Sequence, residues 1–267
     1  MNKIKEILFP HRDLSARVGL VDEVRGLLII LMVIYHALFT LSYTIAPDLY
    51  MFVESPVMRI LRDVGAGVFI FICGACCLFS KNNFRRGMLT FLCGVLITVV
   101  TVLFDNGNMQ ILWGILHFLG LSLILFDTFD KLILKIKWWW GLPVFALLFV
   151  LTFGLNASDG YGYVGLPFVS ALQYPLQRAL SNVHFLFPLG ISYPSFVSMD
   201  YFPLLPWFFL FLIGTFYGKR LKDGRAKPFV YKTRIKPLAF VGRHTLIIYL
   251  LHQPIIYGII YLIELFS

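Results

Sequence analysis

VDEVRGLLIILMVIYHALFTL, residues 21–41, decides the fold. Beyond its first turn it carries no acidic or basic residue except Arg25 and His36, and it is long enough to cross a bilayer as a helix. Arg25 and His36 stand eleven residues apart, which is three helical turns plus about 20°. Both side chains therefore leave one face of the helix, separated by roughly 16 Å along its axis. Polar groups of this kind are costly in lipid and face a bundle interior or a watery cavity, where they mark function.

Composition extends that conclusion to the whole chain. Of its 267 residues 59% are hydrophobic and 14% charged, with 27 phenylalanines, and the mean hydropathy is +0.81. A soluble domain of this size cannot bury so much apolar surface, so the expected class is an all-α, polytopic transmembrane helix bundle. The apolar runs lack the alternation of barrel strands and are too long for them. The opening segment 1–19 is basic and polar without a short apolar core and small-residue cleavage site, so no removed signal peptide is expected.

Windows of about 19 residues place about seven spans, near 20–44, 64–80, 87–104, 109–126, 138–155, 201–218 and 240–265. Segments 1–19, 81–86, 127–137 and 219–237 hold 4, 3, 3 and 8 Lys/Arg, against three (Arg59, Arg62 and Arg178) in the opposite loops. The positive-inside rule then puts the N-terminus in the cytoplasm and the C-terminus outside. The net charge of +9 reports that topology and contact with anionic lipid heads rather than nucleic acid. The stretch 156–200, rich in Gly, Pro, Tyr and Phe, has no run long enough to span. It is expected to form interfacial or re-entrant segments over the outer face of a single domain, 1–267.

Three histidines fall at similar depth: His36, His117 in MQILWGILHFLGLSL, and His252 in HTLIIYLLHQP. Imidazole titrates near neutrality, so converging histidines suit a general base with its orienting partners. Each taken alone can equally serve as a bond between helices. Arg25, Arg243 and His244 gather at the inner ends with Asp22, which is i,i+3 from Arg25. They form a candidate cationic mouth for a phosphorylated cytosolic ligand, arginine's planar fork being suited to phosphate. Asp63, Asp105 and Asp200 sit at the outer ends with Trp207, as candidate contacts for a polar acceptor. Helix capping is the competing account of Asp63 and Asp200, and the interfacial belt that of Trp207.

Cys73, Cys76, Cys77 and Cys93 all lie within expected spans. CGACC has one CxxC spacing but no second pair and no histidine spacing, so neither a metal site nor a disulfide framework is expected. Gly-rich phosphate loops, GxSxG and HExxH are absent from the sequence. Two other classes compete with catalysis. One is a carrier or scaffold whose polar residues line a path, the other a haem protein using intramembrane histidines as axial ligands.

DEVRGLLIILMVIYHALF, VFIFICGACCLF, WGILHFLGLSLIL, DYFPLLPWFFLFLIG and GRHTLIIYLLHQPI, in that order, resemble bacterial members of the heparan-alpha-glucosaminide N-acetyltransferase catalytic-domain family. The Arg25–His36 interval also resembles the first-helix arginine–histidine motif of the wider membrane acyltransferase superfamily. The resemblance implies an acetyl-CoA or similar acyl-CoA co-substrate, no tightly bound cofactor, and a glycan or glycolipid acceptor on the far face. It implies His36 as catalytic residue and Arg25 in the donor site, and the similar depth of the histidines suits His117 or His252 to orient His36 or hold an oxyanion. Lysosomal members carry a catalytic histidine in the loop before the second helix. That loop here, 42–61, contains none, so the role falls to an intramembrane histidine. A multi-pass protein of a bacterial cytoplasmic membrane is the expected setting, with homo-oligomerisation left open.

Overall fold

The computed structural model describes residues 18–104, 110–155, 167–180 and 182–266, and among them all regular structure is helical. The main helices are α1 (Gly19–Tyr43), α2 (Pro56–Cys76), α3 (Asn83–Phe104), α4 (Ile115–Ile133) and α5 (Trp138–Thr152). They are followed by α6 (Pro167–Leu180), α7 (Leu204–Lys222), α8 (Lys236–Arg243) and α9 (Thr245–Phe266). Four are long and apolar enough to cross a membrane: α1, α2 with its 3-10 extension to Phe79, α3 to Leu103, and α9. α4 and α7 are 19 residues each but carry charges near their C-terminal ends, including Lys131, Lys219, Arg220 and Lys222. α5 is a shorter apolar helix.

Each expected span overlaps a helix, but several boundaries differ, and α4 runs on to Ile133 rather than ending near 126. α2 begins at Pro56, not near 64, because Ser55 caps it by accepting from the Met58 N–H (3.4 Å) and Pro56 follows at the first helical position. Arg59, Arg62 and Asp63 therefore lie on the helix, and Asp63 is not its cap. α4 begins at Ile115, six residues later than 109, after a stretch that is not helical. The last expected span is two helices, α8 and α9, separated at His244.

Close backbone approach through small residues holds the bundle together, as membrane helix packing favours. Gly214 and Gly218, a G-x-x-x-G pair on α7, meet Phe71 and Ala75 of α2, and Gly74 of α2 meets the Phe211 backbone. A Cβ at any of the three would strike a carbonyl. α1 and α8 interlock in the same way, Gly26 against Leu238 and Gly242 against Asp22. The buried core lies among α2, α4 and α7, where Ile70, Phe118, Phe126, Trp207 and Phe211 pack together.

Segment 110–114 is stitched to the residues before α7. Met199 N–H donates to the Gln110 carbonyl (3.0 Å), Phe202 N–H to the Trp113 carbonyl (3.2 Å), and Trp113 Nε1–H to the Phe202 carbonyl (3.0 Å). This lacing carries Asp200 to the start of α4. At the opposite end Glu23, buried on α1, accepts from the backbone N–H groups of Arg234 and Ile235 (the latter at 2.7 Å), which fixes where α8 begins.

Candidate functional site

α1 and α9 face each other along one polar seam. At the end near the start of both helices Arg25 donates to Thr245 Oγ1 (3.0 Å) and lies 3.9 Å from Asp22, the i,i+3 partner that the sequence suggests. Asp22 also accepts from Arg243 Nε (3.2 Å), so Arg25 and Arg243 share one carboxylate. Arg25 Nε is buried without a hydrogen-bond partner among the described residues. Arg86, half-buried on α3, is near enough for its charge to be felt at Arg25. His244 stands apart, its Nδ1 2.8 Å from the Phe240 carbonyl on an exposed surface.

Further along the seam the Gln253 side chain bridges Thr40 Oγ1 (3.3 Å) and His36 Nδ1 (3.2 Å). Thr40 in turn donates to the His36 carbonyl (2.9 Å). The His36 and His252 rings are in edge contact, centroids 5.0 Å apart. His252 Nδ1 lies 2.6 Å from the Tyr249 carbonyl, an acceptor only, so that nitrogen carries the hydrogen. His252 Nε2 is then a bare lone pair, buried and without a partner among the described residues.

Tyr249 connects the histidine pair to Asp200. Its ring is 5.3 Å from that of His252, and its hydroxyl donates to Asp200 Oδ2 (3.1 Å). The same oxygen accepts from the Ile115 N–H (3.0 Å). Asp200 is thus a helix cap after all, but of α4 rather than of the helix it precedes; Pro203 stands at the start of α7 and offers no side-chain bond. Burial pushes the Asp200 carboxyl above its ordinary range, and the two donated hydrogen bonds act in the opposite direction. Asp200→Ala leaves the Ile115 N–H and the Tyr249 hydroxyl unmatched. It is expected to cost about 1–2 kcal/mol of stability, read as a lower melting temperature in detergent, with Asp200→Asn nearer to wild type.

His117 joins Asp200 and Tyr249 in lining a small cleft with Gly94 and Gly114. It is the third residue of α4, and its Nδ1 accepts from the Gly114 N–H (3.2 Å), which puts its hydrogen on Nε2. Nε2 lies 3.4 Å from Thr98 Oγ1, which donates to the Ile111 carbonyl (2.6 Å). Both His117 nitrogens are therefore engaged in holding the start of α4 against α3. The structure brings His36 and His252 together and sets His117 on the far side of Tyr249 and Asp200.

Asp63 pairs with Arg62 (2.8 Å), whose charge reaches both His36 and Asp200. Trp207 is not at an interface. It is 2% exposed and packs against Phe149, Phe153 and Phe202 inside the bundle. Asp105 lies outside the described residues. Residues the sequence reading passed over are Thr40, Tyr249 and Gln253. Of these only Gln253, a lone amide within an apolar helix beside His252, carries a visible signal.

The bundle has four helices long and apolar enough to cross a membrane, and two of them, α1 and α9, share a polar seam with arginines at one end and a histidine pair at the other. The family model for heparan-alpha-glucosaminide N-acetyltransferase, catalytic, matches residues 17–254, and the chain belongs to that family. Comparison with curated proteins and with solved structures gave no match.

Proposed function

We propose that this acyltransferase moves an acetyl or other short acyl group from cytoplasmic acyl-CoA to an amine or hydroxyl of a glycan or glycolipid at the outer face of a bacterial cytoplasmic membrane. One feature supports this above the rest: Arg25 and His36 lie on one helix face, roughly 16 Å apart, and both engage α9. The topology that goes with it is a single domain of seven spans, α1–α5, α7 and α9, with the N-terminus inside and the C-terminus outside.

In this scheme the phosphate-rich head of the donor binds at Arg25 and Arg243, and its extended arm follows the seam. The thioester carbonyl then sits beside His36. An acceptor N–H or O–H gives its proton to the imidazole as the heteroatom attacks that carbonyl. The C–S bond breaks, and the departing thiolate recovers the proton. His252 holds or orients a reacting group from the other side, and Asp200 with Asp63 and Arg62 receives the polar acceptor. The bilayer is the protein's setting; nucleic acid has no part, and a homo-oligomer is compatible with the scheme.

The test is transfer across a membrane. Proteoliposomes sorted for one orientation receive acetyl-labelled acetyl-CoA on the Arg25 side and amino sugars or glycolipids on the other. Label on the acceptor supports the proposal. Neither transfer nor thioester hydrolysis by folded protein, across a broad acceptor panel, would overturn it.

A further inference from the structure

Thr40, Gln253 and His36 form a set small enough for its hydrogens to be counted. As placed, the Gln253 amide oxygen faces Thr40 (3.3 Å) and its nitrogen faces His36 Nδ1 (3.2 Å). Thr40 has one hydroxyl hydrogen, and its shorter contact is the His36 carbonyl at 2.9 Å. With that hydrogen committed, an amide oxygen facing Thr40 meets a lone pair. The two ends of an amide have nearly the same shape, and hydrogen count decides between them.

Turning the amide over gives each of the three contacts its own hydrogen. Thr40 O–H donates to the His36 carbonyl, the Gln253 amide N–H donates to Thr40 Oγ1, and His36 Nδ1–H donates to Gln253 Oε1. What remains is a bare lone pair on His36 Nε2. The neighbouring ring reaches the same state independently, since the Tyr249 carbonyl requires a hydrogen on His252 Nδ1 and leaves its Nε2 bare. Two adjacent imidazoles then both present Nε2 lone pairs, a pairing suited to a ligand that brings N–H or O–H donors.

We infer that Gln253, held by Thr40, is a positioning residue that fixes His36 as the Nδ1–H tautomer and so makes Nε2 the nitrogen that takes the acceptor's proton. The role rests on the acyltransferase reading; the hydrogen-bond assignment does not. No group beyond acceptor and thioester is needed. Nε2 gains the proton as the acceptor–carbonyl bond forms, and returns it as the C–S bond breaks.

The experiment uses the full chain in nanodiscs with Gln253→Leu, Gln253→Glu, Thr40→Val and Thr40→Ser. Gln253→Leu should lower kcat by roughly 10²-fold while coenzyme A affinity holds, because the tautomer is no longer fixed. Gln253→Glu keeps an oxygen toward Nδ1–H, the Thr40 hydroxyl turning to its other oxygen. It should retain kcat within about tenfold, with the acid limb of the rate profile moved to higher pH by the carboxylate beside the imidazolium. Thr40→Val should follow Gln253→Leu in direction, and Thr40→Ser should resemble wild type.

A fully active Gln253→Leu, or a Gln253→Glu as inactive as Gln253→Leu, overturns the inference. Nitrogen-15 spectra of histidine-labelled wild type, with the His36 signals identified by their loss in His36→Asn, read the tautomer without any turnover. A hydrogen on Nδ1 supports the assignment, and one on Nε2 sinks it even where a variant fails to fold. Wild type that transfers nothing, with Nδ1 protonated, would instead fault the acyltransferase reading and leave the hydrogen-bond assignment standing.

Discussion

His36→Ala is expected to lower acetyl transfer by roughly 10²–10⁴-fold, the range that one positioned general base supplies, while the protein still folds. The two effects separate because His36 contributes little to packing. Its side chain is half-buried and makes one hydrogen bond, to Gln253, with edge contacts to Tyr35 and His252. Losing that bond costs on the order of 1 kcal/mol, and Thr40 still holds the other end of the amide. Turnover and a thermal unfolding curve measured on the same preparation decide the matter. Loss of activity at near-native melting temperature supports the assignment. Wild-type turnover in His36→Ala would move the chemistry to His252, whose buried bare nitrogen is the next candidate.

The second large effect is expected at the arginine end of the seam. Arg25→Ala should weaken coenzyme A binding by tenfold or more, about 1.4 kcal/mol, measured by isothermal titration in detergent. Two features favour Arg25 as a ligand contact rather than a helix anchor. Its Nε–H is buried without an acceptor among the described residues, a state that buried donors rarely keep unless something fills it. Its carboxylate neighbour Asp22 is already paired with Arg243, so the Arg25 charge is only partly neutralised. Because Asp22 keeps Arg243, the substitution does not strand a buried anion, and folding should survive. Arg25→Lys retains the charge but not the planar fork, and should fall between wild type and alanine. Unchanged affinity in Arg25→Ala would return this residue to a structural role through Thr245.

The helices themselves were largely legible, because a 19-residue apolar window reports burial in lipid whatever the helix packs against. The common face of Arg25 and His36 was legible from helical pitch alone, and both do engage α9. The joint at His244 was not, since a hydropathy window reports an average over residues and not the one-residue break between a short amphipathic helix and the apolar helix after it. Depth also misled for His117. Three histidines at one level need not converge, because depth along a helix says nothing of the direction a side chain takes around it. His117 turns toward Thr98 on α3, whereas His36 and His252 turn toward each other. Position in the sequence makes Asp200 a candidate cap only for the helix that it precedes. The helix it caps, at Ile115, is 85 residues away in sequence, and no local pattern announces such a partner.

The Glu23 clamp also bears on how this chain can change length. Glu23 pins the backbone at Arg234 and Ile235 to the first helix, and Gly242 sits against Asp22 at the other end of α8. Between these two fixed points and the start of α9 at Thr245 there is no slack. One inserted residue there would turn α9 by about 100° and swing His252 and Gln253 out of the seam. The turn at Gly224, whose positive φ of 70° and open surroundings mark a surface loop, is held locally instead: Arg225 N–H donates to the Arg220 carbonyl (3.0 Å), and the Tyr231 hydroxyl accepts from Ala226 N–H (3.3 Å) and donates to the Leu221 carbonyl (2.9 Å). Natural variants are therefore expected to differ in length at Gly224 sooner than between 234 and 253, so that aligning them reads out whether evolution has treated this bracket as the gauge that keeps the two site helices in step.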